Sequence, residues 1–206
     1  MTVILHGHPF SSYCQKVSIA FQEAGIAFEW RKIETAEDFA ALRKLWPFGL
    51  MPVVVDGERS VVESSIIIEH FAPALIPSLD VRFLDRFFDN YVMTPMQKIV
   101  GDHLRPETAR DPHGVTEARA RLDVSYEWLD EGLSGRECAL GESFTLADCA
   151  AAPSLFYADW VHPIAETFAN TRAYRARLLA RPSVKQAVDE ARPYRKYFPP
   201  GAPDRD

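Results

Sequence analysis

Apolar and polar positions follow two different rhythms along this chain. Val3, Ile4 and Leu5 make a short apolar run of buried-strand length, and from Ser11 onward Val17, Ala20, Phe21 and Ala24 recur at helical spacing until Gly25 stops them. Ile26, Phe28 and Trp30 then alternate with Ala27, Glu29 and Arg31, which predicts a second strand. Thr35 followed by Asp38 has the form of a capping box and opens another helix. Pro52 to Glu63 reads as two apolar strands around an Asp56-Gly57 turn, and Ser64 or Ser65 opens a helix carrying Ile67, Ile68 and Phe71. The predicted order over residues 1–74 is βαβαββα.

Two prolines between Pro73 and Leu79 interrupt any period and predict a linker. Beyond it every pattern is helical. Helices are expected from Val81 to about Leu104, from Val115 to Leu133 after the Gly114 break, from near Thr145 towards Trp160, from Thr171 to Ala180 and from Ser183 to Ala191. The Pro-rich tail from Phe198 reads as extended. The fold class is therefore α/β plus all-α, with residues 80–206 forming the helical domain.

Composition narrows the setting. Hydrophobic residues make up 47% and charged residues 25% of the 206, enough to bury a core. The formal charge of −6 has no compensating Lys/Arg block, so nucleic acid and anionic membrane are not expected partners. The start, MTVILHGHPF, lacks the basic stretch of a secretory signal, and no apolar run reaches membrane-spanning length. Cys14, Cys138 and Cys149 have no C-x-x-C spacing, so neither a disulfide framework nor a zinc site is expected, and the cytoplasm is the expected compartment. His6 and His8 flank Gly7, where a metal site would require further ligands.

Candidate chemistry gathers where strands hand over to helices. Pro9-Phe10-Ser11-Ser12-Tyr13-Cys14 places hydroxyls at a helix N-terminus, whose unpaired amides and positive dipole end favour an anion. Such a place acidifies a bound thiol. A free thiol ionises near pKa 8.5, and lowering that by about two units requires roughly 3 kcal/mol, within reach of one hydroxyl donor and a helix terminus. Gly49-Leu50-Met51-Pro52 sets a proline at the entry to an apolar strand. Glu63 and Ser64 stand at a further helix start, suited to a carboxylate and a cationic amine. Glu142-Ser143-Phe144-Thr145-Leu146-Ala147-Asp148 carries a second capping signature.

In this order and spacing the four motifs resemble the cytosolic glutathione S-transferase superfamily, most of all its serine-type theta and zeta classes. The resemblance implies a thioredoxin-like first domain, with Ser11 activating the sulfur of glutathione and Cys14 standing where the fold's second motif cysteine would be. It implies a cis Pro52, with Met51 pairing through its backbone to the cysteinyl part, and Glu63 and Ser64 receiving the γ-glutamyl end. The Thr145 and Asp148 box is implied to be structural. Many relatives carry Asn at position 46 and Lys or Gln at position 50, the latter for the glycyl carboxylate; here these are Trp46 and Leu50, with Arg43 and Lys44 as the nearby cations. Tyr13 stands where the zeta class has Cys.

Phe10, Met93, Met96, His103, Tyr157 and Trp160 are candidates for the second-substrate site, with helix-core packing as the competing reading. Cys14 reads either as a buried structural thiol or as a redox group. Glutathione is expected as co-substrate rather than as a bound cofactor, together with a hydrophobic electrophile, no metal, and a homodimeric assembly. Three activities follow from the resemblance: conjugation, a glutathione-dependent isomerase or lyase reaction, and binding without catalysis.

Overall fold

The computed structural model describes residues 3–206. Strand β1 (Val3–Gly7) leads into α1 (Ser12–Glu23), then β2 (Phe28–Lys32), α2 (Ala36–Leu45), β3 (Val53–Asp56), β4 (Arg59–Val62) and α3 (Ser64–Phe71). The sheet order is β2-β1-β3-β4, with β1 parallel to β2 and antiparallel to β3, and β3 antiparallel to β4. This is a thioredoxin-like domain.

Local chemistry explains its boundaries. Gly25 takes φ 67°, a conformation that costs other residues more, and turns the chain out of α1 into β2. Thr35 and Asp38 form the expected capping box at α2, whose inner face covers a small core of Ile33, Leu42 and Val53. On the sheet's other face Leu5, Val54 and Val61 pack with Val17, Phe21, Ile67 and Ile68. That core continues without a break into the helical half.

The second half begins after a 3-10 turn at Pro73–Leu75 and comprises α4 (Leu79–Phe87), α5 (Thr94–His103), α6 (Pro112–Gly132), α7 (Leu146–Val161), α8 (Ala169–Ala180) and α9 (Pro182–Ala191). The helix expected from Val81 to Leu104 is divided. A π-helical stretch, Phe88–Met93, separates α4 from α5, and the Asp89 carbonyl accepts both the Thr94 amide, as a π-helical bond, and the Thr94 hydroxyl, the latter at 2.9 Å. Gly114 is no break either. It lies inside the first turn of α6, where the Asp111 cap takes its amide at 2.9 Å.

α7 is buried at every position and forms the axis of this half, packing against α1 of the first. Each large side chain so buried contributes about 1.5–3 kcal/mol. The tail is tied down: Arg205 pairs with Asp159, and Asp206 with Arg192 and Arg195, after a 3-10 turn at Arg192–Tyr197.

Candidate active site

Ser11 is the N-cap of α1, with extended backbone angles (φ −83°, ψ 123°) and its Oγ accepting the Cys14 amide at 3.4 Å. The loop before it is held at each peptide. The Ser11 amide donates to the His8 carbonyl at 2.9 Å and the Phe10 amide to His8 Nδ1 at 3.1 Å. Gln15, almost fully buried, donates to the Pro9 carbonyl at 2.9 Å and to the Tyr157 hydroxyl at 3.1 Å. Tyr157 in turn donates to the Phe10 carbonyl at 2.9 Å. A helix of the second half thus holds the loop that positions Ser11.

Beneath Ser11 the backbone of β1 closes on Cys14. A Cβ on Gly7 would lie 2.5 Å from the Cys14 Sγ, so only glycine fits there. Burial pushes the Cys14 thiol up to about 11, outweighing the hydrogen bonds from Ser11 and the His8 backbone that favour its thiolate. A buried thiol of that kind lacks the exposure and acidity a redox role needs.

Opposite Ser11, the Met51-Pro52 bond is cis, and the β3 ladder with β1 starts at Val53, leaving Met51 outside it. Glu63, between β4 and α3, takes φ 68° and ψ 120°, a conformation costing a non-glycine residue of order 1–3 kcal/mol. Ser64 follows it, buried, as the first residue of α3.

A network not read from the sequence lies behind these residues. Lys16, 1% exposed, sits 2.5 Å from Asp85 and 3.1 Å from Asp89, and donates to the Ser65 hydroxyl at 3.0 Å. Ser65 donates to Asp85 at 2.7 Å, while Arg86 donates to Asp89 at 2.9 Å and to Asn90 at 3.1 Å. Two cations face two carboxylates, so the desolvation of each charge is offset by a partner. Burial raises the Asp89 carboxyl above its ordinary value, with Lys16 opposing that shift. Burial, with the Asp89 charge, pushes Tyr13 up to about 12, so its phenol stays protonated.

These elements enclose a cleft of about 730 Å³ between the two halves. Phe10, Ser11, Leu50, Met51, Pro52, Glu63, Ser64, Met96 and Tyr157 line it, which brings together residues from all three N-terminal motifs. His103, Trp160 and Met93 do not line it. His103 is exposed as the last residue of α5, whereas Trp160 is packed among Phe10, Phe156 and Phe198, and Met93 is core. Their places are taken by Val100, Leu104, Tyr197 and Phe198. The rim at Leu50 is apolar: Leu50 is 60% and Phe48 74% exposed, with the Trp46 ring tilted against Phe48 at a centroid distance of 4.9 Å. Arg43 runs over Gly49, where a Cβ would meet its Cγ at 3.1 Å and its Nε at 3.2 Å.

The structure therefore defines a two-domain protein in which a thioredoxin-like half presents two helix N-termini to a cleft walled by an all-helical half. Family models described as "Glutathione S-transferase, N-terminal domain" and "Glutathione S-transferase, C-terminal domain" match residues 5–74 and 87–182. The chain belongs to the cytosolic glutathione S-transferase family, enzymes whose substrate is glutathione.

It is similar to a probable maleylacetoacetate isomerase of Vibrio cholerae, 26% identical over 94% of this chain and 98% of that protein. It also resembles glutathione S-transferase U10 of Arabidopsis thaliana, 30% identical over 64% of this chain and 58% of that one. Among solved structures, a glutathione S-transferase of Methylobacterium radiotolerans in complex with glutathione sulfonate superposes with a TM-score of 0.78 at 25% identity, covering 91% of this chain and 95% of that one.

Proposed function

We propose that the protein conjugates glutathione to a hydrophobic electrophile, with Ser11 donating a hydrogen bond to the glutathione thiolate at the N-terminus of α1. The observation that carries this reading is the convergence of Ser11, Met51, Glu63 and Ser64 on one cleft, whose helical side combines an apolar patch of Met96, Val100, Leu104 and Phe198 with the polar Arg86, Asp89, Asn90 and Gln97. In it, Met51 pairs with the cysteinyl backbone. Ser64 and the first turn of α3 take the γ-glutamyl carboxylate, and Glu63 faces the amino group. Arg43, lying over Gly49 beside Leu50, takes the glycyl carboxylate where the family's usual side chain is absent. Glutathione supplies the nucleophile, and the protein supplies orientation and charge stabilisation.

The electrophile's side of the cleft is Phe10, Met96, Val100, Leu104, Tyr157, Tyr197 and Phe198. This favours an apolar, ring-bearing electrophile over a dicarboxylate, which would need a cation on that wall; Arg86 is engaged by Asp89 and Asn90. The Vibrio cholerae relative named as a probable isomerase makes isomerisation the second reading. Parallel incubations with an activated aryl halide and with an unsaturated diacid decide between them. Conjugation consumes glutathione thiol in step with product, whereas conversion of an unsaturated diacid at constant thiol would overturn the reading in favour of isomerisation.

A homodimer belongs to the same proposal. Phe83, Tyr91 and Trp128 form an exposed aromatic cluster on α4, the π stretch and α6, with Phe83 5.9 Å from Trp128. A solution mass of a single 23.3 kDa chain would exclude it. A reducing cytoplasm fits the three free cysteines.

A further inference from the structure

His8 lies in the loop before Ser11, half-buried, and takes part in no step described above. Its ring does something specific. Nδ1 lies 3.1 Å from the Phe10 amide and accepts its proton, closing a short ring of atoms two residues long. The next amide, that of Ser11, donates to the His8 carbonyl at 2.9 Å. One residue therefore holds both peptides that carry the chain into the N-cap of α1.

Around the ring stand three titratable groups. The Glu34 carboxylate is 3.7 Å from Nε2, Lys32 lies on β2, and Tyr194 packs edge-on with ring centroids 4.3 Å apart. Tyr194 donates to Glu34 at 2.9 Å and accepts from Lys32 at 3.2 Å. It belongs to the 3-10 turn Arg192–Tyr197, and Tyr197 and Phe198 from that end of the chain line the cleft. The His8 ring thus joins the Ser11 loop to the segment that covers the electrophile's side.

We propose that His8 is a positioning residue for the Ser11 loop, acting only as the neutral imidazole with Nδ1 bare and the proton on Nε2. An amide cannot donate to a protonated nitrogen, so imidazolium loses the Phe10 bond. Burial and Lys32 lower the ring's pKa, and Glu34 opposes them without reversing the direction. A folded-state pKa below the ordinary 6.5 means that the arrangement is intact above 6.5 and is lost as pH falls through the lower, folded value.

This rests on the glutathione reading only for its kinetic part, so the test has two readouts. Nitrogen-15 correlation spectra of the protein without substrate report the tautomer: the proposal expects the proton on Nε2 at pH 7.5, and a proton on Nδ1 would overturn it. In conjugation assays, log(kcat/KM) falls with slope one as the thiol is protonated, steepens as pH falls through the lowered pKa of His8, and returns to slope one about five- to tenfold lower once the imidazole is charged. His8→Ala loses about five- to tenfold at pH 7.5 and keeps slope one throughout. His8→Asn, whose side-chain oxygen can accept the same amide without titrating, restores most of that loss and also keeps slope one. A second ionisation that persists in His8→Asn, or a His8→Ala variant as active as the wild type, would overturn the proposal. Absence of conjugation in every variant would count against the glutathione reading and leave the tautomer result to decide His8.

Discussion

In the proposed mechanism two tasks meet on the Ser11 oxygen. Oγ accepts the Cys14 amide as a helix cap, and its proton remains to be donated to a thiolate, so capping and catalysis do not compete for the same valence. Its place as the N-cap of α1 was legible from the strand-to-helix junction, whereas its proposed role rests on the motifs at Met51-Pro52 and Glu63-Ser64 standing in order beside it. Asp148 was legible only in part. Its capping role follows from its spacing to Thr145, but its carboxylate, fully buried, also receives the Ala139 amide at 2.8 Å and the Tyr174 hydroxyl at 2.7 Å, besides the Thr145 amide at 2.9 Å. Those partners come from 9 and 26 residues away and leave no local signature. Asp148→Ala is accordingly expected to cost about 3–5 kcal/mol of stability, well beyond the ~1 kcal/mol of a lost cap, because three buried donors lose their acceptor together. Urea unfolding measures it, and a loss near 1 kcal/mol would reduce Asp148 to a simple capping residue.

Among the elements, those with a strong period were readable and the junctions between them were not. The βαβαββα order follows from alternation, turns and caps in the first 71 residues. The π stretch at Phe88–Met93 defeats a reading by periodicity, since one extra residue per turn shifts the apolar stripe without interrupting it. That shift puts Asp89 and Asn90 on the cleft wall. Met96, one turn beyond Met93, is buried like it but also lines the cleft. The tie between α1 and α7 runs through the Tyr157 hydroxyl. Tyr157→Phe leaves the Phe10 carbonyl and the Gln15 amide without that partner, and is expected to lower stability by about 1–2 kcal/mol. Because the Ser11 loop then loses its brace, kcat/KM is expected to fall about tenfold. Steady-state kinetics at fixed glutathione would contradict this brace if kcat/KM stayed at the wild-type value.

The whole molecule places its chemistry at the contact between its halves. Gln15 meets Tyr157 across 142 residues of sequence and Lys16 meets Asp89 across 73, so the groups that hold the cleft's shape could not be read from spacing. What sequence does carry is the one wall made of local motifs, which is why the cleft residues from Ser11 to Ser64 were legible, while on the helical side His103 and Trp160 were expected where Leu104 and Phe198 line the cleft. In the proposed mechanism the α1 terminus ionises a bound thiol. Ultraviolet difference titration of the glutathione complex measures this directly. The wild-type protein is expected to show a bound thiol about two units below the free value near 8.5, and Ser11→Ala a value returned most of the way towards it. A bound thiol that ionises at its free value in the wild type, or one equally acidic in Ser11→Ala, would contradict the account.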